Sequence, residues 1–148
     1  MFVIDVTCLI NRPLPAVFAY VADFSNAPAW QRQLSAVRLP DGPFPTGRTV
    51  TEIHHFLGVR IEATGHLVDW HPLDTFTVRG RSGLIEVESR YAFAEEDGGT
   101  RVSLTLTMSP RGPARLGEPF LRRQLGRDLN AAFTLLPRSC QDAVPETG

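Results

Sequence analysis

The chain has 148 residues, of which 43% are hydrophobic and 21% charged, with a formal net charge of −1. That length fits one domain, residues 1–148, able to bury roughly 70% of its unfolded surface, and the composition is that of an ordinary soluble globular protein. The near-zero charge excludes a global basic field of the kind that recruits nucleic acid or anionic membrane.

All fifteen cations are arginine, which lineage or codon bias explains more simply than carboxylate recognition. Cys8 and Cys140 stand far apart in the sequence and match no metal spacing, so they read as reduced structural thiols of a cytoplasmic protein. The opening "MFVIDVTCLI" is too short to span a bilayer, lacks a basic leader and carries Asp5, so it is not a signal peptide.

In chain order, "FVIDVTCLI" is rich in β-branched residues and predicts a first strand ended by "NRPLP". "PAVFAYVADF" places Val17, Phe18, Val21 and Ala22 on one helical face, with Pro15 near the first turn. "SNAPAW" predicts a second short helical turn, "SAVRL" a short strand, and "PDGPFPTG" a loop. From Arg48 the pattern becomes a strand meander. "RTVTEIHHF" and "VRIEATGHLVDW" flank a turn at Leu57-Gly58. "DTFTVRGR" and "LIEVESRYAFAEE" flank one at Ser82-Gly83, and "TRVSLTLTMS" follows "DGG". "GEPFLRRQLGRDLNAAFTLLP" predicts a long amphipathic helix, with Pro119 in its first turn and Pro137 as its stop. Its stripe is Leu121, Leu125, Leu129, Ala132, Phe133 and Leu136. The last residues, 140–148, read as a frayed tail. The sum is an α+β fold with helices on one face of an antiparallel sheet.

Alternation identifies the buried face. Val102, Leu104, Leu106 and Met108 alternate with polar residues and must face the core. Placing Phe93 opposite Val102 turns Tyr91, Ser89 and Val87 inward. The Ser82-Gly83 turn then sets Val78 opposite Val87, Phe76 opposite Ser89, and Arg79 opposite Glu86 on the wet face. Across Leu57-Gly58, Ile61, Ala63, Gly65 and Leu67 mark the core side. Val50, Glu52, His54 and Phe56 therefore point inward, while Thr51, His55, Arg60, Glu62 and His66 face solvent. Ile53 on the wet face is out of keeping with that division. Inward polar groups beside small residues such as Ala63 and Gly65 suggest a ligand cavity.

At the level of motifs the chain resembles the START-like superfamily, the helix-grip fold also called SRPBCC, and within it the polyketide cyclase/dehydrase branch. The likeness rests on "INRPLPAVFAYVADFSNAPAW", "PTGRTVTE", "VDWHPLDTF" and "DGGTRVSLTL" ahead of a long C-terminal helix. It implies a curved antiparallel sheet wrapped around that helix, two short helices after the first strand, and a deep hydrophobic cavity between sheet and helix. Members bind lipids, sterols and polyketides; some catalyse cyclisation or dehydration and others carry or sense ligands. No family-wide catalytic motif transfers, and Asp23, Pro28 and Trp30 read as architecture.

The expected catalytic groups are His54 and Glu52, i and i+2 on one strand, with Tyr91 to polarise a carbonyl. A buried polar pair satisfied by backbone or water is the competing reading. The expected ligand-binding set is Trp30, Phe56, Ala63, Phe76, Val78, Ser89, Leu104, Leu125 and Leu129. Arg122 either reaches the cavity mouth or is solvated. No metal site and no cofactor are expected: ligand spacings, a P-loop, a dinucleotide fingerprint and Gly-x-Ser-x-Gly are all missing from the sequence. The expected partner is a hydrophobic small molecule, with no nucleic acid and no stable membrane insertion, and a homodimer stays open. Three readings stand: an enzyme of aldol cyclisation or dehydration, a non-catalytic carrier or sensor of a lipid-like or polyketide-like ligand, and a protein-interaction module.

Overall fold

Each run of alternating side chains becomes a strand of one sheet. A computed structural model of the protein describes residues 1–56 and 58–145. Its strands are β1 (Phe2–Ile10), β2 (Leu34–Arg38), β3 (Thr49–Phe56), β4 (Val59–His71), β5 (Thr75–Ser82), β6 (Ile85–Glu96) and β7 (Gly99–Pro110). They lie in the order β1-β7-β6-β5-β4-β3-β2, so β2 to β7 form a meander and β1 returns to pair with β7. All pairings are antiparallel. Helix α1 (Leu14–Ala22) and a 3-10 helix at Phe24–Ala29 carry the chain from the β1 edge to the β2 edge. The sheet is curled into a half-barrel and grips α2 (Glu118–Ala143), as the START-like resemblance implies.

Apolar periodicity places the core. In β7 every second residue from Thr100 to Pro110 is buried, and Val102 is fully so. α1 buries Val17, Phe18, Val21 and Ala22 as expected, together with Tyr20. The stripe of α2 from Leu129 to Cys140 packs most closely along β1. Between α1 and the sheet lies an aromatic cluster in which Phe18 meets Trp70, Phe76 and Phe93 edge-on, at 5.2, 5.9 and 4.9 Å between ring centres.

Four local expectations need correction. The β5–β6 turn is at Gly83-Leu84, so Phe76 faces Tyr91 and Val78 faces Ser89, two residues from the predicted partners. Gly83, at φ +56°, takes the first central position, as a type II′ turn requires. The slip is even, so every side chain keeps its face. It re-pairs the charges: Arg79 bonds Glu88 at 2.9 Å, while Arg81 and Arg111 both bond Glu86 at 2.8 Å. Pro137 does not stop α2, which continues to Ala143 because Leu136 and Cys140, on either side of it, are completely buried. Residues 140–143 are therefore helix and not frayed tail. The end of α2 is held by Arg12, whose Nε donates to the Val144 carbonyl at 2.6 Å and whose Nη2 donates to that of Gln141 at 3.1 Å. Ile53 is buried although it points away from the cavity face, and it lies outside the main core cluster. Leu57, half of the expected β3–β4 turn, lies outside the described residues. The pairs flanking that turn, Phe56–Val59 and His55–Arg60, stand as expected.

Candidate functional site

The β3–β4 register puts Glu52 opposite Ala63 and His54 opposite Ile61. Both polar side chains thus project from the middle of a strand into the space between sheet and α2. A cavity of about 260 Å³ occupies that space. Its wall is mostly apolar: Ile61, Val78, Val87, Leu104 and Met108 from the sheet, and Leu121, Leu125 and Leu129 from α2. Gly65 and Gly80, paired across β4 and β5, thin one side of it. A Cβ on Gly65 would fall 2.9 Å from Val78 Cγ1, so a side chain there would force Val78 to shift.

Three polar groups converge here. Glu52 and His54 are 23% and 28% exposed, with His54 Nε2 4.0 Å from Glu52 Oε1, beyond hydrogen-bond reach. Among the described residues neither side chain has a hydrogen-bond partner, and both line the cavity. Removal from water pushes the Glu52 carboxyl up to about 7 and holds the His54 imidazole below its ordinary value. The pair is therefore a neutral imidazole beside a carboxyl that titrates near neutrality, not a fixed ion pair.

Tyr91 lines the same cavity from β6 and is 4% exposed. Its ring stacks on Phe76 at 4.8 Å and 17°, which fixes its plane. Burial, with the Glu52 charge in second place, raises its hydroxyl far above the ordinary phenol range, so the group stays a proton donor.

Of the other expected ligand contacts, Phe56, Ala63, Val78, Ser89, Leu104, Leu125 and Leu129 line the cavity. Trp30 and Phe76 are not among the lining residues. Trp30, 1% exposed, packs edge-on to Phe133 at 5.8 Å, and Phe76 sits behind Tyr91. Arg122 lies over the Phe2 ring at 5.5 Å. Arg60, Glu62 and His66 are exposed, whereas His55, also exposed, reaches the cavity rim. Sequence reasoning missed Gln31, Gln33, Asp128 and Arg81 in the wall. The glutamines stand in "WQRQL", a connection with no periodicity to orient them. Asp128 adjoins Leu129 in the helical stripe, where a carboxylate reads as the solvent boundary. Among the described residues no group of three or more His, Cys, Asp or Glu could hold a metal, and no helix is long and apolar enough to cross a membrane.

A family model for polyketide cyclase / dehydrase and lipid transport proteins matches residues 1–141. The chain belongs to this family. Solved structures with the same fold include TTHA0849 from Thermus thermophilus, at 15% identity and a TM-score of 0.83, covering 97% of this chain and 100% of that one. The Zhui aromatase/cyclase from Streptomyces sp. R1128 matches at 14% identity and a TM-score of 0.82, over 99% and 98% of the two chains. A START superfamily protein from Mycobacterium smegmatis matches at 11% and 0.80, over 96% and 99%. At these identities the structural likeness establishes the fold alone. No curated protein matches the sequence significantly.

Proposed function

We propose that this member of the polyketide cyclase / dehydrase and lipid transport family binds a hydrophobic carbonyl compound in the cavity and catalyses its dehydration or aldol cyclisation. The observation that carries this reading is the convergence of Glu52, His54 and Tyr91 on one apolar cavity, their side chains without a hydrogen-bond partner among the described residues. Polar side chains with only a structural task are ordinarily satisfied by protein partners.

For a β-hydroxy ketone the chemistry is self-contained. The Glu52 carboxylate removes the proton from the carbon next to the carbonyl. The Tyr91 hydroxyl donates a hydrogen bond to the developing enolate oxygen, with the neutral His54 imidazole close by as a second donor. The enolate expels the β-hydroxyl, which takes the proton back from Glu52 and leaves as water. An enone is formed and the carboxylate is restored. A carboxyl poised near 7 suits both halves of that exchange.

The test begins with native mass spectrometry of gently purified protein, to detect a bound hydrophobic molecule. Turnover of an aryl β-hydroxy ketone is then followed by enone absorbance. Glu52→Gln is expected to lower kcat by about 10²-fold or more while binding persists. Unchanged turnover in both Glu52→Gln and His54→Ala refutes the mechanism. Binding without turnover by the wild type leaves a carrier or sensor.

A further inference from the structure

We propose that one end of the cavity is a polar pole, built by Gln31, Gln33 and Asp128 beside Glu52 and His54, that accepts an uncharged hydrogen-bonding group and rejects an anionic one. This rests on the cavity being a binding site and adds the polarity and charge of what enters it.

Gln31 is the key observation. It is 8% exposed, it lines the cavity, and among the described residues its carboxamide has no hydrogen-bond partner. Buried amides are normally paired, and this one offers two donors and an acceptor to whatever fills the space. Its position follows from its neighbours. Trp30 packs on Phe133 of α2, and Leu34 stands opposite His54 in the β2–β3 ladder. Gln31 is thus seated between α2 and the strand that carries Glu52 and His54. Gln33 is fixed beside it, its carbonyl accepting the His55 backbone N–H at 2.7 Å. Asp128 enters the wall from α2 and accepts from Gln124 Nε2 at 3.2 Å.

The charge inventory decides what this pole prefers. The lining carries two carboxyl groups, Glu52 and Asp128. Its guanidinium, Arg81, is 65% exposed and bonded to Glu86 at 2.8 Å. A carboxylate or phosphate head would meet the Asp128 carboxylate and the Glu52 carboxyl, with no guanidinium left unengaged and only the His54 and His55 imidazoles as further ionisable groups among the described lining residues. A hydroxyl or ketone would find both donors and acceptors. The ligand class is therefore an apolar, aromatic-sized body bearing neutral oxygen functions, not a free fatty acid or a phospholipid headgroup.

Four probes on one skeleton test this: naphthalene, 2-naphthol, 2-acetonaphthone and 2-naphthoate, titrated by calorimetry near neutral pH. Naphthol and acetonaphthone are expected to bind at least about tenfold tighter than naphthoate. Gln31→Met, nearly isosteric, should weaken the two neutral polar probes about tenfold and leave naphthalene unchanged. Asp128→Asn should raise naphthoate affinity. Naphthoate binding as tightly as acetonaphthone to the wild type overturns the inference, and so does an unaltered preference in a folded Gln31→Met. Failure of naphthalene and every other probe to bind brings down the cavity reading itself, which is a different result.

Discussion

Replacing Glu52 by glutamine should make the protein more stable in alkali. Burial lifts this carboxyl from 4.5 to about 7. At about 1.4 kcal/mol per pH unit, ionising it in the folded protein costs roughly 3 kcal/mol more than in the unfolded chain. The sign follows from the raised value: the contribution is fully present below 4.5 and is lost as pH rises through about 7. His54 works in the opposite sense. Its value is lowered from 6.5, so its contribution is present above 6.5 and is lost as pH falls. Between pH 4.5 and 6.5 the two effects therefore oppose each other, Glu52 favouring the acid side and His54 the neutral side. Glutamine abolishes the alkaline loss and leaves the acid limb. Urea unfolding near pH 8.5 should show the variant more stable by roughly 3 kcal/mol, or on the order of 6–12 °C in Tm, with the gap closing as pH falls below 4.5. Parallel stability curves for the two proteins would refute the claim that this carboxyl is desolvated.

Phe76→Ala, at a position with no exposure beneath Tyr91, should cost about 3–5 kcal/mol in denaturant unfolding. Arg12→Ala removes the donors that hold the last turn of α2 and should cost about 2 kcal/mol. Arg79→Ala breaks only an exposed pair with Glu88 and should cost less than about 1 kcal/mol; equal effects would refute the distinction. Burial pushes the Cys8 thiol up to about 12 and that of Cys140 up to about 11. Native protein should thus react with a disulfide reagent far more slowly than unfolded protein, and rapid native labelling would contradict this.

Much of the fold was legible because strand faces depend only on parity. Val102 to Met108, Tyr91 and the Glu52–His54 pair could be turned inward without knowing any loop conformation. Parity is blind to even slips, so the β5–β6 partners came out two residues wrong while every strand residue kept its face. Pro137 was misjudged because local backbone cost was weighed without the burial of Leu136 and Cys140. Trp30 was expected to touch the ligand, but its ring is committed to Phe133. Gln31 and Gln33 were invisible for a different reason: an irregular connection has no period, and only the completed fold says which way it faces.

That even slip bears on how such a cavity can diversify. In the β5–β6 hairpin a change of two residues moves the rim by one pleat and returns every wall residue to the wall. A change of one would evert the strand, sending Val78 to water and Arg79 into the apolar interior. Unless the turn absorbs an odd change as a longer loop or bulge, the register of this rim moves in pairs. Cavity depth can be revised in steps by indels at a turn, without moving Glu52 and His54 two strands away.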